Sequence, residues 1–512
     1  MRALELLSIA LLTLAGCNSG SEFNCQEDSD CGQDGMCEPN GFCSFPDSSC
    51  ETGRRYGELA GTGLANECVN PAEGTTTSAG GTDAESATST TGPLTTTTDP
   101  SDTDDGADES TGSATPMTQE FCMPMTPPGG SGPVVEVSAD DIGTLQAQLN
   151  GASEGTTFLI ADGVYDVPEG IRITTAGVTV RSASGDPESV VFQNSEGNAS
   201  VFRVDASDVT IGELSIRNAG AYGVFVSTNG TEAINGTLLY RLHITDAIIS
   251  GVRITYGSAP VDDGVVACST IELTEAGRSV EGCDFRAGLS GIGAAGWDVR
   301  DNHFEGFWCN EGATKPAIGF NQSSFDNVVQ RNNIRECAIG IRMGERSDHT
   351  DIREPPEHAC EPGYYGTIGG AVINNMISAT GTGIGSSGLG MDSGIAAWQV
   401  CGLVVAHNTV ASAFDAPSIE YRHERTEVSV LNNLVTSDII LRDGASAPVA
   451  GNIAGAALNV FVSPLDGDLH LLEGAEAIDA GINLGDDAVE YDIDGQVRVD
   501  APDVGADEIV LE

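Results

Sequence analysis

Between Val178 and Val435, short runs of alternating apolar and polar residues recur around one frame: a small apolar residue, two variable positions, Asn, one variable position and another apolar residue. The stretch Val328 to Gly344, V-V-Q-R-N-N-I-R-E-C-A-I-G-I-R-M-G, shows the unit whole, with Asn332 in the Asn position. Alternation with period two predicts short strands buried on one face. The same frame puts Asn302, Asn375, Asn408 and Asn433 in register with Asn332, while earlier copies carry Leu214, Leu242 and Cys283 there. Gaps between these positions run from 19 to 43 residues. A constant frame at uneven spacing predicts a solenoid with coils of roughly twenty to thirty residues and insertions between them. Each coil buries its strands only by stacking on its neighbours. An Asn at the same corner of successive coils predicts a ladder of amides that satisfies backbone groups beyond the reach of water. A catalytic role for one of these Asn residues is the competing reading.

Ahead of the strands, Ser138-Ala-Asp-Asp141 has the form of a capping box, and Ile142, Leu145 and Leu149 fall on one helical face. The expected element is a short amphipathic helix covering the open end of the apolar stack. The segments T-T-F-L-I-A-D-G-V-Y-D (Thr156 to Asp166) and G-V-T-V-R-S-A-S-G-D-P-E-S-V-V-F (Gly177 to Phe192) follow. They resemble the opening of right-handed parallel β-helices of pectin-lyase type, particularly the group of chondroitinase-B-like and alginate lyases. The far end, D-L-H-L-L-E-G-A-E-A-I-D-A-G with D-I-D-G-Q-V-R and P-D-V-G-A-D-E, resembles the closing signature of many secreted β-helix proteins. This resemblance spans roughly residues 134 to 509 and implies an all-β chain: a right-handed parallel β-helix over 133–463, with 464–512 as its closing segment. Folds of this kind carry lyases, hydrolases, isomerases and adhesins, so the fold does not choose among them.

The first sixteen residues hold one arginine and an apolar run from Leu6 to Leu14, too short to span a bilayer, and read as a secretory signal. Leu14-Ala15-Gly16 before Cys17 resembles a bacterial lipobox, which implies lipidation of Cys17; an ordinary signal with an incidental Cys is the alternative. Asn18 resembles the residue that sorts lipoproteins to the outer membrane. The expected location is therefore the outer membrane, facing the cell surface, with the lipid as the sole membrane contact.

Cys25, Cys31, Cys37, Cys43, Cys50 and Cys68 then crowd a segment with little apolar material, 18–70, which predicts a disulfide module. No His precedes His243, which disfavours zinc as the competing explanation. Residues 71–132 are Thr, Ser, Gly, Asp and Pro with few apolar side chains and read as a disordered tether. Cys122, at its end, has no evident partner in the sequence. Cys17 aside, thirteen cysteines remain, so one is unpaired or joins another molecule. Cys309 and Cys337 lie 7 and 5 residues after Asn302 and Asn332, and are expected to pair across consecutive coils.

Charge narrows the partners. With 22 basic and 76 acidic residues the chain carries −54, which argues against nucleic acid and against unaided binding to anionic lipid or polyanion, and is equally what a soluble, halotolerant exterior would show. A monomer is expected. The lone lysine, Lys315, stands in the least acidic long stretch of the solenoid: from Lys315 to Arg353 there are six basic and five acidic residues.

In the lyases this chain resembles, calcium neutralises a uronate carboxylate, a lysine removes the proton at C5, and an arginine one coil later assists. Carried over, the resemblance implies Glu311 as a calcium ligand, Lys315 as base and Arg342 as its partner. Two departures stand beside it: Cys309-Asn310-Glu311-Gly312 replaces an alternating carboxylate pair, and Met343-Gly344 follows the arginine where the lyases have His. Lys315 as a solvated surface charge is the competing reading. The insertion from Arg346 to Tyr365 offers Arg346, His349, His358 and Tyr364 as a substrate-groove wall, with a metal site or a plain surface loop as alternatives. Arg422, in Tyr421-Arg-His-Glu-Arg425, would extend the groove or belong to a solvated strand face. Asp492-Ile-Asp494-Gly495 begins like a calcium loop but lacks the closing Glu, and reads as a structural turn. The expected function is engagement of polysaccharide, by a calcium-assisted uronate lyase or by a non-catalytic glycan-binding or adhesive protein.

Overall fold

A computed structural model describes residues 31, 35–38, 42–46, 50, 53–56, 68–69, 121–126, 132–194, 199–280, 282–309, 315–345, 352–354, 360, 363–386, 390–485, 489–499 and 501–509. The chain divides into two compact units, Met1–Glu109 and Ser110–Glu512. In the first, strands Met36–Cys37, Cys43–Pro46 and Arg54–Tyr56 form an antiparallel sheet. Disulfides Cys31–Cys43 and Cys50–Cys68 hold it, and Cys37 is disulfide-bonded as well. This is the staple a segment so poor in apolar residues needs. Cys17 and most of the tether lie outside the described residues.

The second unit is a parallel β-helix. Each coil contributes one strand to each of three parallel sheets in turn, which contain 14, 11 and 10 strands and are called here the first, second and third sheets. The alternating apolar positions fall into columns. In the first sheet Ile211, Leu239, Val266, Val299, Val329, Val372, Val405 and Val430 stand in register and are fully buried. In the second sheet Ile216, Ile244, Ile271, Phe304, Ile334, Ile377, Val410 and Val435 do the same. Burying each such side chain contributes roughly 1.5–3 kcal/mol, and stacking lets one aliphatic column serve every coil.

The corner between the first and second sheets is a two-residue turn repeated along the stack. Its first residue is left-handed in eight successive coils: Glu213, Arg241, Cys268, Asp301, Arg331, Asn374, His407 and Asn432 have φ between 49° and 57°. Such backbone exposes amides inward, and the next residue answers them. Asn302, Asn332, Asn375, Asn408 and Asn433 are 0–2% exposed, and each donates Nδ2 to the next Asn Oδ1 at 2.9–3.0 Å. The same Oδ1 accepts the backbone N–H of the coil below. The ladder runs on to Asn452 and begins at Ser269, which donates its N–H to Asn302 Oδ1.

Ser269, in register with Leu242 and Asn302, corrects the assignment of Cys283 to this corner. Cys283 instead opens a 3-10 turn, Cys283–Phe285, in an insertion between the second and third sheets. Val280-Glu-Gly-Cys283-Asp-Phe285 imitates the repeat frame without being a strand.

The cysteine pairing differs accordingly. Cys309 bonds Cys283, not Cys337, which is the free and buried cysteine among the described residues. Cys337 stands opposite Phe307 and packs in the core, so equal spacing from the ladder was a misleading guide. Burial pushes its thiol up to about 12, leaving it an inert apolar filler.

At the N-terminal end Ile142–Thr144 forms a 3-10 turn leading into helix Leu145–Asn150, with Leu145 and Leu149 buried on the first coils. The capping box does not form: Ser138 Oγ donates to the Asp141 carboxylate at 2.6 Å, and no side chain caps the helix. The closing segment folds back over the outside of the last coils. Its antiparallel strands Phe461–Ser463 and Asp468–Leu471 bring Phe461, Leu469, Val504 and Ala506 onto Met376, Ala411 and Leu434.

Cys122 has a partner after all. It bonds Cys268 at the ladder corner, and residues 121–126 lie along that corner as a strap. Phe121 packs on the Arg331 guanidinium 4.3 Å away; Arg241 and Tyr240 donate to the Cys122 and Met123 carbonyls; Met125 N–H donates to Glu213. Beyond it, Arg181 donates to the carbonyls of Met125 and Thr126.

Candidate functional site

One register position on the outer face of the third sheet reads, coil by coil, Arg172, Arg203, Phe225, Arg253, Ser290, Gly319, Arg342, Ala396 and Glu420. Successive members lie about 4.8 Å apart, the spacing of hydrogen-bonded strands. Around Arg253, Ser290, Gly319 and Arg342 the face sinks into a cleft of about 280 Å3. Lys315, in the loop that enters the strand Ile318–Asn321, lines it, as do Glu345 and the exposed ring of Phe285. Lys315 and Arg342, paired on the resemblance, thus share one cleft.

Local sequence explains the shape. Gly251 and Gly340 sit two residues before the two arginines, where the backbone must pass close to its neighbours. A Cβ there would stand 2.6 Å from Ile271 Cγ2 and 2.5 Å from the Gly394 carbonyl oxygen. Gly319 leaves room for Pro316, whose Cγ would lie 2.7 Å from a Cβ at that position, so the Lys315 loop folds down onto the sheet. The Cys283–Cys309 disulfide anchors the turn that presents Phe285.

The cations here are unusually free. Arg253 donates to Thr255 Oγ1 and Ser290 Oγ, both at 2.8 Å, and Lys315 makes no ion pair among the described residues. Arg342 approaches Glu345 only at 3.9 Å. Burial draws both guanidinium groups below the usual arginine range, with Glu345 opposing it in each case. They remain charged, and a buried cation without a close counter-charge attracts an anion.

Next along the face, the Trp398 ring lies between two guanidinium groups, 5.6 Å from Arg342 and 5.5 Å from Arg422. Its indole N–H donates to Glu420 at 2.9 Å, and Glu420 also holds Arg442 at 2.7 Å. Arg422 therefore continues the arginine–aromatic run, although Asp443 pairs with it at 2.9 Å.

The insertion after Glu345 turns back toward earlier coils. Arg353 donates to Asp262 at 2.8 and 3.0 Å and to the Gly293 carbonyl, and packs on Phe325 at 4.3 Å. Cys360–Cys401 anchors its other arm. Tyr364, half-buried, enters the strand Thr367–Ile368 of the first sheet and does not line the cleft. Glu311, Arg346, His349 and His358 lie outside the described residues.

Arg253, Phe285 and Glu345 complete the cleft, with Trp398 beside it against Arg342, and all four escaped the sequence reading. A signal existed: Gly251-Val-Arg253 repeats Gly340-Ile-Arg342, with glycine before an apolar–arginine–apolar alternation.

No family model matches the chain, and no curated protein matches it. Among solved structures it is similar to the pectate lyase Pel9A, with 13% identity and a TM-score of 0.46 over 74% of this chain and 97% of that one. It is also similar to an alginate lyase from Paenibacillus sp. str. FPU-7, with 15% identity and a TM-score of 0.43 over 63% and 97% of the two chains. A GH136 lacto-N-biosidase from Eubacterium ramulus follows at 10% and 0.41, over 63% and 67%. No residue role is transferred from these proteins, and the β-helix rests on the register of this chain's own strands.

Proposed function

We propose that the third-sheet cleft binds an acidic polysaccharide and cleaves it by β-elimination. One observation carries this reading: Arg253, Lys315 and Arg342 line a single cleft in a chain with 22 basic and 76 acidic residues. A neutral sugar would not call for such a concentration of cations, and a soluble acidic chain gains nothing by it.

In this reading Arg253 and Arg342 neutralise a uronate carboxylate, which acidifies the adjacent C5–H. Lys315, as the free amine, takes that proton. The electron pair forms the C4=C5 double bond, the C4–O bond breaks, and the departing oxygen recovers the proton from the Lys315 ammonium. Phe285 offers an apolar face to a sugar ring.

Calcium fits the described lining poorly. It takes six to eight oxygen ligands, whereas Glu345 is the single carboxylate there and already accepts from Gln322 at 3.3 Å. No step is therefore assigned to a metal, and Glu311 is left to experiment. Anchoring through Cys17 would hold the enzyme at the outer-membrane surface. Non-catalytic glycan binding is the second reading, favoured by the exposed position of Lys315 in the loop before the strand.

The test is to incubate the chain with uronate polysaccharides and follow the absorbance of the unsaturated product, with and without chelator. Lys315→Ala should abolish turnover while binding persists. Binding without turnover in the unmodified chain would establish the second reading, and loss of turnover with chelator would restore a metal to the mechanism.

A further inference from the structure

The closing segment is rich in acidic side chains, and several have a visible occupation. Asp492 accepts the backbone N–H groups of Asp494, Gln496 and Glu508; Asp503 accepts those of Asp479 and Ile509; Glu508 pairs with Arg498 at 3.0 Å. Asp468, Asp494 and Asp507 differ. Asp468 and Asp494 each pair with one imidazole, His470, with Asp507 close by, and among the described residues no Arg or Lys pairs with any of the three, so a single imidazole faces three carboxylates.

We propose that His470, Asp494 and Asp507 form a binding site for a divalent transition-metal ion of the zinc class. The three come from separate segments: the strand Asp468–Leu471, the turn after Asp492, and the buried stretch near the end of the chain. One ligand atom from each lies within 4.8 Å of the others. Ligand atoms about 2.1 Å from a tetrahedral zinc stand about 3.4 Å apart, so closure asks for shifts of an ångström or so.

The imidazole separates this site from an ordinary acidic patch. Asp468 Oδ1 lies 2.5 Å from His470 Nδ1, which turns Nε2 toward Asp494 Oδ2 at 2.9 Å. A carboxylate behind the far ring nitrogen of a histidine is the arrangement that orients a zinc ligand and raises its basicity. Asp507 spends one oxygen on the Leu471 N–H at 2.7 Å and is 4% exposed, so its position is fixed before any ion arrives. Mixed nitrogen and carboxylate donors suit zinc or manganese better than calcium, which prefers oxygen alone. Three protein ligands leave a fourth position for water. Bound there, the ion would staple the closing segment across its own strand, turn and C-terminal stretch.

The full chain, stripped with chelator and dialysed, is titrated with zinc by calorimetry at neutral pH, and its thermal unfolding is followed with and without the ion. The expected result is one tight site and a raised melting midpoint. Asp494→Asn, at an exposed position, should weaken binding at least tenfold; Asp468→Asn should weaken it about ten- to a hundredfold. His470→Gln should abolish the midpoint shift. Cobalt in place of zinc should give the visible spectrum of a four-coordinate site in the unmodified chain and lose it in Asp494→Asn. Equal affinity in the unmodified chain and Asp494→Asn, or binding with no defined stoichiometry, would overturn the site and mark only diffuse attraction to an acidic surface.

Discussion

The corner between the first and second sheets and the outer face of the third sheet are built from the same repeats, yet the molecule treats them in opposite ways. The corner is covered. The strap 121–126 lies along it from Arg331 to Glu213 and is locked by Cys122–Cys268. Where the strap stops, the closing segment takes over: Asn374 donates to the Tyr491 carbonyl, Arg498 donates to Asn374, and Asn432 donates to the Ile482 carbonyl. The third sheet holds Arg253, Arg342 and Trp398 half-buried in and beside the cleft, with Phe285 of the preceding turn exposed at its edge. Polar side chains at the corner are spent on the backbone, whereas those of the third sheet are held in place with capacity to spare. Burial and satisfaction mark structure; charge held in reserve marks a site.

Breaking the corner should cost most. Asn332 donates to the Val299 and Gln330 carbonyls and to Asn375, and accepts from Asn302. Asn332→Ala leaves several of these groups buried and unpaired, at about 1–3 kcal/mol for each one that finds no water. Chemical denaturation should show a loss of at least that size, and an unchanged midpoint would mean that the ladder is ornamental.

A smaller effect sharpens the same side of the comparison through pH. His407, a left-handed corner residue under the closing segment, is 2% exposed, and burial with Arg498 nearby holds its pKa down to about 3. Its ordinary value is 6.5, so the neutral form is favoured by folding. The stability it contributes is complete above pH 6.5 and is lost as pH falls from there toward 3, by up to about 1.4 kcal/mol per pH unit. Asp492, pushed up to about 6 mainly by burial, works in the opposite direction, since its contribution is present at low pH and lost as pH rises through 6. Comparing the chain with His407→Gln isolates the histidine: the two stability curves should converge as pH falls from 6.5 to 5. Parallel curves would show that His407 is charged in the fold or absent from the balance.

The fold was legible because its signal is periodic. Val299, Val329, Val372, Val405 and Val430 recur with Asn three residues on, the mark of a stacked repeat. Cys283 shows the limit: an insertion can copy the frame by chance, and Ser269, which holds the place in register, hides because serine is common in any turn. Cys309 and Cys337 show another, since spacing along the chain says nothing about which way a side chain points. Cys122 appeared unpartnered because its partner lies 146 residues along the chain, beyond several coils whose insertions the sequence does not align. For the site, Lys315 and Arg342 were visible as a cation pair on neighbouring coils, whereas Arg253 and Trp398 depend on the register of the third sheet. That register is set by insertions whose lengths the sequence does not align.

The open face provides the most direct test. Binding of a polyuronate to the full chain should be measured at low and at moderate salt, alongside Arg253→Gln, Trp398→Ala and, from the covered corner, Arg331→Gln. The account predicts that Arg253→Gln weakens binding at least tenfold and reduces its salt dependence, and that Trp398→Ala weakens it less while also lowering the melting midpoint, because its ring packs on Arg342 and Arg422. Arg331→Gln should lower the midpoint and leave binding unchanged. Polyuronate binding that ignores Arg253 and Trp398, or that falls with Arg331→Gln alone, would contradict the assignment of the third sheet as the functional face.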